Sequence, residues 1–205
     1  MTNIDTTPSR KPANASNPIH DLISERWSPR AFAKRPVERE KLYSLFEAAR
    51  WAASAGNQQP WYFVVGTKDN AESHAGLAAT LWERNVLWAQ HAPVLLLVVA
   101  RLYDRPGKEH TSFYDVGMAV GNLVTQAVDL GLVTHQMGGF DPDKACETLG
   151  IPEGYQPLAM IALGYLGTPD ALPDDLRERE LAPRSRKPLE EFVFEGSWEQ
   201  FARPL

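Results

Sequence analysis

Apolar residues recur along the chain at spacings that predict helices in some segments and strands in others. Leu42, Leu45 and Ala49 lie at the intervals of one helix face. Residues 115–130 are apolar or small on more than one face, which predicts a helix that is buried or lies in an interface. Helices are predicted over residues 18–26, 38–53, 69–90, 115–130 and 142–149.

Capping residues indicate where several of these helices begin and end. Asn17 and Asp141 each precede a proline, the arrangement of an N-cap followed by proline at the first helical position. Gly150 is expected to end the helix that Asp141 begins. Gly76 is expected to break the helical segment 69–90.

Four short apolar runs have the length of strands. The run 93–100 is apolar on both faces, so we expect it at the centre of a sheet, and we expect 61–66 to be a buried strand. The strands are predicted over residues 61–66, 93–100, 132–137 and 158–165. Helices interspersed with strands predict an α/β or α+β protein.

The two ends of the chain differ in composition from its middle. Residues 1–17 are rich in Thr, Ser, Asn and Pro, and we expect them to be flexible. Residues 18–188 show no boundary and are expected to form one domain. The tail over 189–205 carries four large apolar side chains, Phe192, Phe194, Trp198 and Phe201. Because four strands already close a core, we expect a partner subunit to cover this tail.

Composition narrows the classes of function. The 205 residues are 43% hydrophobic, with a formal net charge of −5, which excludes a general basic face for nucleic acid. No apolar run approaches the roughly 18 residues of a membrane span. The N-terminus lacks the apolar core of a signal peptide, so we expect a cytoplasmic protein. The single cysteine, Cys146, excludes an intrachain disulfide.

Two short segments rich in Arg and Ser point to an anion site. They are RWSPR at 26–30 and PRSRKP at 183–188. Guanidinium groups bind phosphate oxygens in a bidentate way, and a hydroxyl adds a neutral donor. A solvated basic loop is the better interpretation of 26–30 taken alone. The two segments together predict a shared anion site if the fold brings them together.

A polar loop between a predicted helix and a predicted strand offers a second candidate. Ser54, Asn57 and Gln59 lie in the sequence SAGNQQ, and amides both donate and accept, which suits the edge of a planar heterocycle. An ordinary polar turn is the alternative. The turn Gly138-Gly139 also follows a strand, and both turns could face one ligand.

Several common sites are excluded by the absence of their motifs. There is no GxGxxG after a strand and no GxxxxGK[ST], so a Rossmann or P-loop nucleotide site is not expected. The five histidines are scattered rather than set at metal-ligand spacing, and no metal site is predicted. His135 is interpreted as a packed imidazole. Ser54 lacks the context of a catalytic nucleophile.

Five segments, in order, resemble the FMN-dependent nitroreductase-like flavoproteins. They are RWSPRAF, EAARWAASAGNQQPWYFVV, RNVLWAQHAPVLLLVV, VTHQMGGFDPDKACETLGIPEGYQPLAMIALGY and PRSRKP. The resemblance covers residues from about 19 to 188. It implies an α+β fold with a central, mostly antiparallel sheet flanked by helices. It also implies a homodimer that exchanges its C-terminal arms, with two FMN sites between the subunits.

The resemblance also implies roles for individual residues. Positions matching cofactor-binding residues of the family are Arg26, Trp27, Ser28, Arg30, Ser54, Asn57, Gln59, Asn85, Gly138, Gly139, Arg184 and Arg186. The arginine segments match those that meet the FMN phosphate, and the Ser54 loop matches one that reaches the flavin from the partner chain. Asn85 matches a residue on the pyrimidine side of the flavin, and the glycine turn lies near N5.

Two departures from the family concern residues expected near the flavin. Gly138 replaces an acidic residue of some relatives, and Trp88 replaces a lysine that contacts the flavin edge in others. Residues 82–88 and 108–114 are expected to form a substrate lid. Its aromatic residues are predicted either to line the substrate pocket or to pack in a core or interface, with Trp88, Phe113 and Tyr114 as the named candidates.

The implied reaction is ping-pong hydride transfer from NAD(P)H through flavin N5 to a nitroaromatic, quinone or related acceptor. The cofactor carries the chemistry, so no catalytic side chain is named. Two alternatives stay open. One is a specialised relative that reduces enoates or semialdehydes, oxidises azolines or removes halogens, and the other is a flavin-binding protein without turnover.

Overall fold

A four-stranded antiparallel sheet forms the centre of the protein. The computed structural model describes residues 11–103 and 109–200. The strands are β1 (Trp61–Thr67), β2 (Val94–Arg101), β3 (Val133–Met137) and β4 (Tyr155–Gly164). Their order across the sheet is β1-β2-β4-β3, and every pairing is antiparallel. The predicted α+β class and the antiparallel sheet are confirmed.

Seven α-helices surround this sheet in the part of the chain that is described. They are α1 (Asp21–Glu25), α2 (Arg39–Arg50), α3 (Ala71–Ala78), α4 (Glu83–Ala89), α5 (Glu109–Asp129), α6 (Pro142–Leu149) and α7 (Asp174–Leu181). None of these described helices has the length and apolar character needed to cross a membrane.

The alternating side chains of β2 supply both halves of the core. Leu96 and Val98 point to a cluster that includes residues of α2 and α5. Leu95, Leu97 and Val99 point to a second cluster that includes residues of α3, α4 and α6. Because both faces of β2 are covered, this strand is apolar throughout, and its predicted central position is confirmed.

The helix limits predicted from caps are confirmed for α6 and wrong for the start of α1. Asp141 accepts a hydrogen bond from the Lys144 N–H, and Gly150 ends α6 in the left-handed region. The Asn17 prediction is wrong, because α1 begins later and His20 accepts from the Leu22 N–H.

The break predicted at Gly76 is also wrong, since this glycine lies inside α3. The interruption falls at residues 79–82, where Leu81 forms an isolated bridge with Phe140. This bridge ties the segment between α3 and α4 to the turn that follows β3. The interruption is therefore set by a tertiary contact and not by a local helix breaker.

Two further elements differ from the predictions. The prediction of a buried first strand is wrong, because β1 lies at the sheet edge and most of its side chains are half-buried. The helix α7 has no predicted counterpart, because its sequence DDLREREL buries only Leu176 and Glu180. Strand β4 begins at Tyr155, before its predicted start.

The ends of the chain lie against the domain only in part. Residues 1–10 of the predicted flexible segment are outside the described residues. Ala13 donates its N–H to the Ser24 carbonyl at 2.8 Å, and the Lys11 ammonium donates to the Ala182 carbonyl. In the predicted arm, Phe192 and Trp198 are exposed, Trp198 by 80%.

Candidate functional site

One buried carboxylate fixes the end of the loop over residues 26–30 through hydrogen bonds. Glu180 of α7 is 2% exposed. It accepts hydrogen bonds from the backbone N–H groups of Arg30, at 2.9 Å, and Ala31, at 3.1 Å. The Arg30 guanidinium lies 4.0 Å from the same carboxylate. The charge of Glu180 therefore fixes the loop backbone and one of its arginines.

A histidine on the sheet donates a hydrogen bond to the same loop. The Nδ1–H of His135 on β3 donates to the Pro29 carbonyl at 2.9 Å, because a carbonyl can only accept. Its ring packs on Trp88 with 4.5 Å between centroids. Burial, with smaller contributions from Arg30 and Arg26, lowers the pKa of His135 to about 4. The imidazole is therefore neutral at pH 7, and its interpretation as a packed histidine is confirmed.

The two arginine segments meet in space. Burial lowers the pKa of Arg26, and the charges of Arg184 and Arg186 lower it further. Arg26 also donates to the Ser28 hydroxyl at 3.2 Å, and Arg184 donates to the Ser24 carbonyl at 2.7 Å. These three guanidinium groups make no ion pair with a carboxylate within residues 11–103 and 109–200. A cationic cluster of this kind favours the binding of an external anion.

Asn85 and the glycine turn after β3 also lie together. The Asn85 amide donates to the Gly139 carbonyl at 2.9 Å, and the Trp82 N–H donates to the same oxygen at 3.2 Å. A Cβ on Gly139 would come within 2.4 Å of the Asn85 amide nitrogen, so glycine lets this amide keep its position. A cleft of about 690 Å³ lies beside Trp82, Asn85 and Gly139.

The Ser54 loop is exposed and internally bonded. The Ser54 hydroxyl accepts from the Gln59 N–H at 3.1 Å, and Asn57 and Gln59 both have positive φ. The Ala55 N–H donates to the buried carboxylate of Asp115 on α5 at 2.9 Å. The Tyr103 hydroxyl donates to the same carboxylate at 2.6 Å. The loop is thus built as a rigid projection from the domain.

The three aromatic candidates for a substrate pocket have different surroundings. Trp88 is 2% exposed and stacks on Phe32, which favours the core-packing alternative for this residue. Phe113 is half-buried against the cluster around α5. Tyr114 is 71% exposed. Lys108, the predicted start of that lid segment, lies outside the described residues.

The donor set fits FMN on three observations. The arginine cluster concentrates positive charge that suits a phosphate, and the Asn85 amide keeps one N–H and its oxygen for a heterocycle edge. A side chain at Gly139 would displace the Asn85 amide from its present position. The residues that this fit requires are Arg26, Ser28, Arg184, Arg186, Asn85 and Gly139.

Two residues that support the candidate site were not predicted from the sequence. Glu180 lies in a charged helix with no apolar periodicity, so nothing marks it as buried. Asp115 carries a usable signal, because it is an acidic residue at the start of an otherwise apolar segment. A buried acid at such a position needs partners, here Ala55 and Tyr103.

Comparisons with known proteins show which proteins this chain is similar to. A model described as the Nitroreductase family matches residues 23–165. A solved structure described as an oxidoreductase containing FMN is 39% identical, with a TM-score of 0.85 over 98% of this chain and 100% of that one. A Mycolicibacterium smegmatis protein, an uncharacterized 15.4 kDa protein, is 35% identical over 66% of this chain and 96% of its own length. An NADH dehydrogenase of Thermus thermophilus is 30% identical over 69% of this chain and 83% of its own.

Proposed function

The chain belongs to the nitroreductase family and is an NAD(P)H-dependent FMN oxidoreductase, and from that premise we propose that it passes hydride from NAD(P)H to a nitroaromatic, quinone or related acceptor. The cluster of Arg26, Arg184 and Arg186 without a described carboxylate partner is the observation that carries the proposal. Bound FMN supplies the ring that accepts and donates hydride, and no side chain need act as a nucleophile.

The arginine cluster would bind the FMN phosphate. The charges of Arg184 and Arg186 lower the pKa of Arg26, so the three guanidinium groups share one region of the surface, and in the proposal they bind one phosphate. Ser28, already bonded to Arg26, adds a hydroxyl. Trp27 and Arg30 flank this set, and Glu180 holds the loop so that the guanidinium groups are positioned before the anion arrives.

Asn85 and the turn Gly138-Gly139 would hold the flavin ring. The Asn85 side chain is fixed by the Gly139 carbonyl, which orients its remaining donor and acceptor. Gly138 is exposed and leaves open space where a side chain would stand. These residues would orient the ring, and the space beside Gly138 would give the nicotinamide and the acceptor access in turn, as a ping-pong cycle requires.

A homodimer would complete each site. The Ser54, Asn57 and Gln59 loop projects from the domain, and in the proposal it reaches the partner's flavin. Tyr114 and Met118 form an exposed apolar stripe on α5, with Gly117 beside them. Such a stripe suits helix packing between subunits. We assign residues 18–188 to the FMN domain and 189–205 to an arm that packs on the partner.

The decisive experiment is a visible spectrum of the purified protein, followed by anaerobic addition of NADH and then NADPH. We expect a yellow protein that either nicotinamide bleaches, with the faster one identifying the donor. A yellow protein that neither bleaches would contradict turnover and favour a flavin-binding role. A colourless protein that FMN cannot reconstitute would overturn the site.

The phosphate assignment has its own test. Arg26→Ala with Arg186→Ala should yield folded protein that loses FMN, because two of three phosphate ligands are gone. The far-ultraviolet circular dichroism spectrum checks folding, and the ratio of absorbance at 450 nm to 280 nm measures occupancy. Full occupancy in the double variant would reject the assignment.

A further inference from the structure

A second cleft, of about 560 Å³, opens at the other end of the sheet, beside the end of β1 and the start of β2. Its walls come from the loop after Arg30, from the turn at Lys68 and Asp69, and from the segment around His91 and Pro93. It shares only Arg30 and Trp88 with the residues considered above for cofactor and substrate. Its volume lies in the range of small-molecule sites, about 300–1,000 Å³.

The mouth of this cleft carries more positive than negative charge. Lys34, Lys68 and Arg30 line it, whereas Asp69 is the only carboxylate among its described lining residues. Neither lysine makes an ion pair with a carboxylate within the described ranges. Partial burial lowers the pKa of Lys68, and the charge of Lys34 lowers it further, which places two ammonium groups near one another. A bound anion between them would relieve this repulsion.

The interior of the cleft is apolar. Three buried side chains border the cleft, namely Phe32, Trp88 and Pro93. The rings of Phe32 and Trp88 stack with 6.3 Å between their centroids. Leu172 also lines the cleft. The backbone N–H of Lys68 donates to the Pro93 carbonyl at 3.0 Å, so the charged mouth is fixed to the apolar wall. An apolar wall beneath a cationic mouth suits a ligand with an apolar body and one anionic end.

We propose that this cleft binds an organic monocarboxylate with a flat apolar body. The carboxylate lies between Lys34 and Lys68, and the body packs against Phe32 and Leu172. A phosphate monoester fits less well, because its second negative charge would be placed in a cleft that Asp69 also lines. The site goes beyond the proposed oxidoreductase function, since it lies outside the arginine cluster and the Asn85 turn.

Isothermal titration of the flavin-loaded full-length protein at low salt tests the proposal. The probes are 1-naphthoate and 1-naphthalenemethanol, which share a ring system and differ in charge. We expect the carboxylate to bind at least tenfold more tightly than the alcohol. Lys34→Met with Lys68→Met should remove that tenfold advantage, because both ammonium partners are lost.

Arg39→Met is the matched control. It removes a cation of the exposed first turn of α2, outside the cleft, and should leave the binding of 1-naphthoate unchanged. The flavin spectrum recorded during the titration should also stay unchanged. Equal affinity for the two probes, or an unaffected double lysine variant, would overturn the proposal. Displacement of flavin or a shift of its spectrum by 1-naphthoate would also overturn it, because the probe would then occupy the cofactor site.

Discussion

At the scale of single residues, the candidate site depends on side chains that would not touch a ligand. Glu180 places its carboxylate under a loop that carries the cations of Arg26 and Arg30. A buried carboxylate is stable there because two backbone N–H groups and a nearby guanidinium compensate its lost hydration. The loop therefore has a fixed shape before any anion binds.

Glu180→Gln keeps the shape of this side chain and removes its charge. We expect the free energy of unfolding to fall by about 2–3 kcal/mol, because hydrogen bonds to a charged group are replaced by weaker ones and an amide donor faces backbone donors. FMN affinity should fall as well. Urea denaturation and flavin titration measure both effects. Glu178→Gln, an exposed neighbour on α7, is the control, and equal effects of the two changes would contradict this role for Glu180.

His135 makes the stability of the loop dependent on pH. Its pKa is lowered to about 4 in the folded protein, whereas an unfolded histidine titrates near 6.5. Between these values the unfolded chain binds the extra proton, so stability falls as the pH is lowered. From pH 7 to pH 5 we expect a loss of about 2 kcal/mol from this residue. His135→Gln should show a pH dependence smaller by that amount in urea denaturation, and an unchanged slope would contradict the prediction.

At the scale of elements, two glycines differ in what limits their substitution: close packing at one, and helix propensity at the other. Gly66 on β1 lies against α3, and a Cβ there would come within 2.8 Å of the Ser73 carbonyl oxygen and the His74 Cα. Gly76 lies inside α3 and has room, with its nearest neighbour, a methyl of Leu149, 3.9 Å away. The two positions should therefore respond in opposite ways to the same substitution.

Gly66→Ala should lower the free energy of unfolding by about 1–3 kcal/mol, because a backbone contact cannot move aside. Gly76→Ala should raise it by about 0.5–1 kcal/mol, because alanine is the better helix former. Thermal and urea denaturation of the two variants, measured side by side, checks both signs. A destabilised Gly76→Ala variant would show that this glycine has a role that the packing does not reveal.

The elements also show what sequence patterns can and cannot predict. Strand β2 and helix α6 are recognisable because local signals determine them, namely a run that is apolar on both faces and a cap at Asp141 with a stop at Gly150. The break between α3 and α4 is not, because the distant residue Phe140 imposes it. Helix α7 is hidden for a related reason, since it packs through one leucine and one buried acid.

At the scale of the whole molecule, the candidate site joins segments more than 150 residues apart. Arg26 and Arg184 each carry a recognisable sequence signal, but only the folded sheet and the return of the chain after α7 bring their charges together. The family resemblance implied that the two segments meet at one phosphate. The residue patterns alone predicted a shared site only if the fold brought the segments together. Among residues 11–103 and 109–200, apolar side chains on α5 and on the arm remain exposed.

Removal of the C-terminal arm would test whether a partner subunit covers these exposed apolar side chains. Fully burying a large apolar side chain contributes about 1.5–3 kcal/mol, so Phe192 and Trp198 together would add about 3–6 kcal/mol for each arm. Removal of residues 189–205 should therefore weaken the dimer by at least about 100-fold and release flavin. Sedimentation velocity and the ratio of flavin to protein absorbance measure the two effects. The full-length variant with Phe192→Ser and Trp198→Ser, which keeps the chain length, should show the same losses. A dimer and a flavin content unchanged by both alterations would mean that the arm lies on its own subunit and contributes nothing to the site.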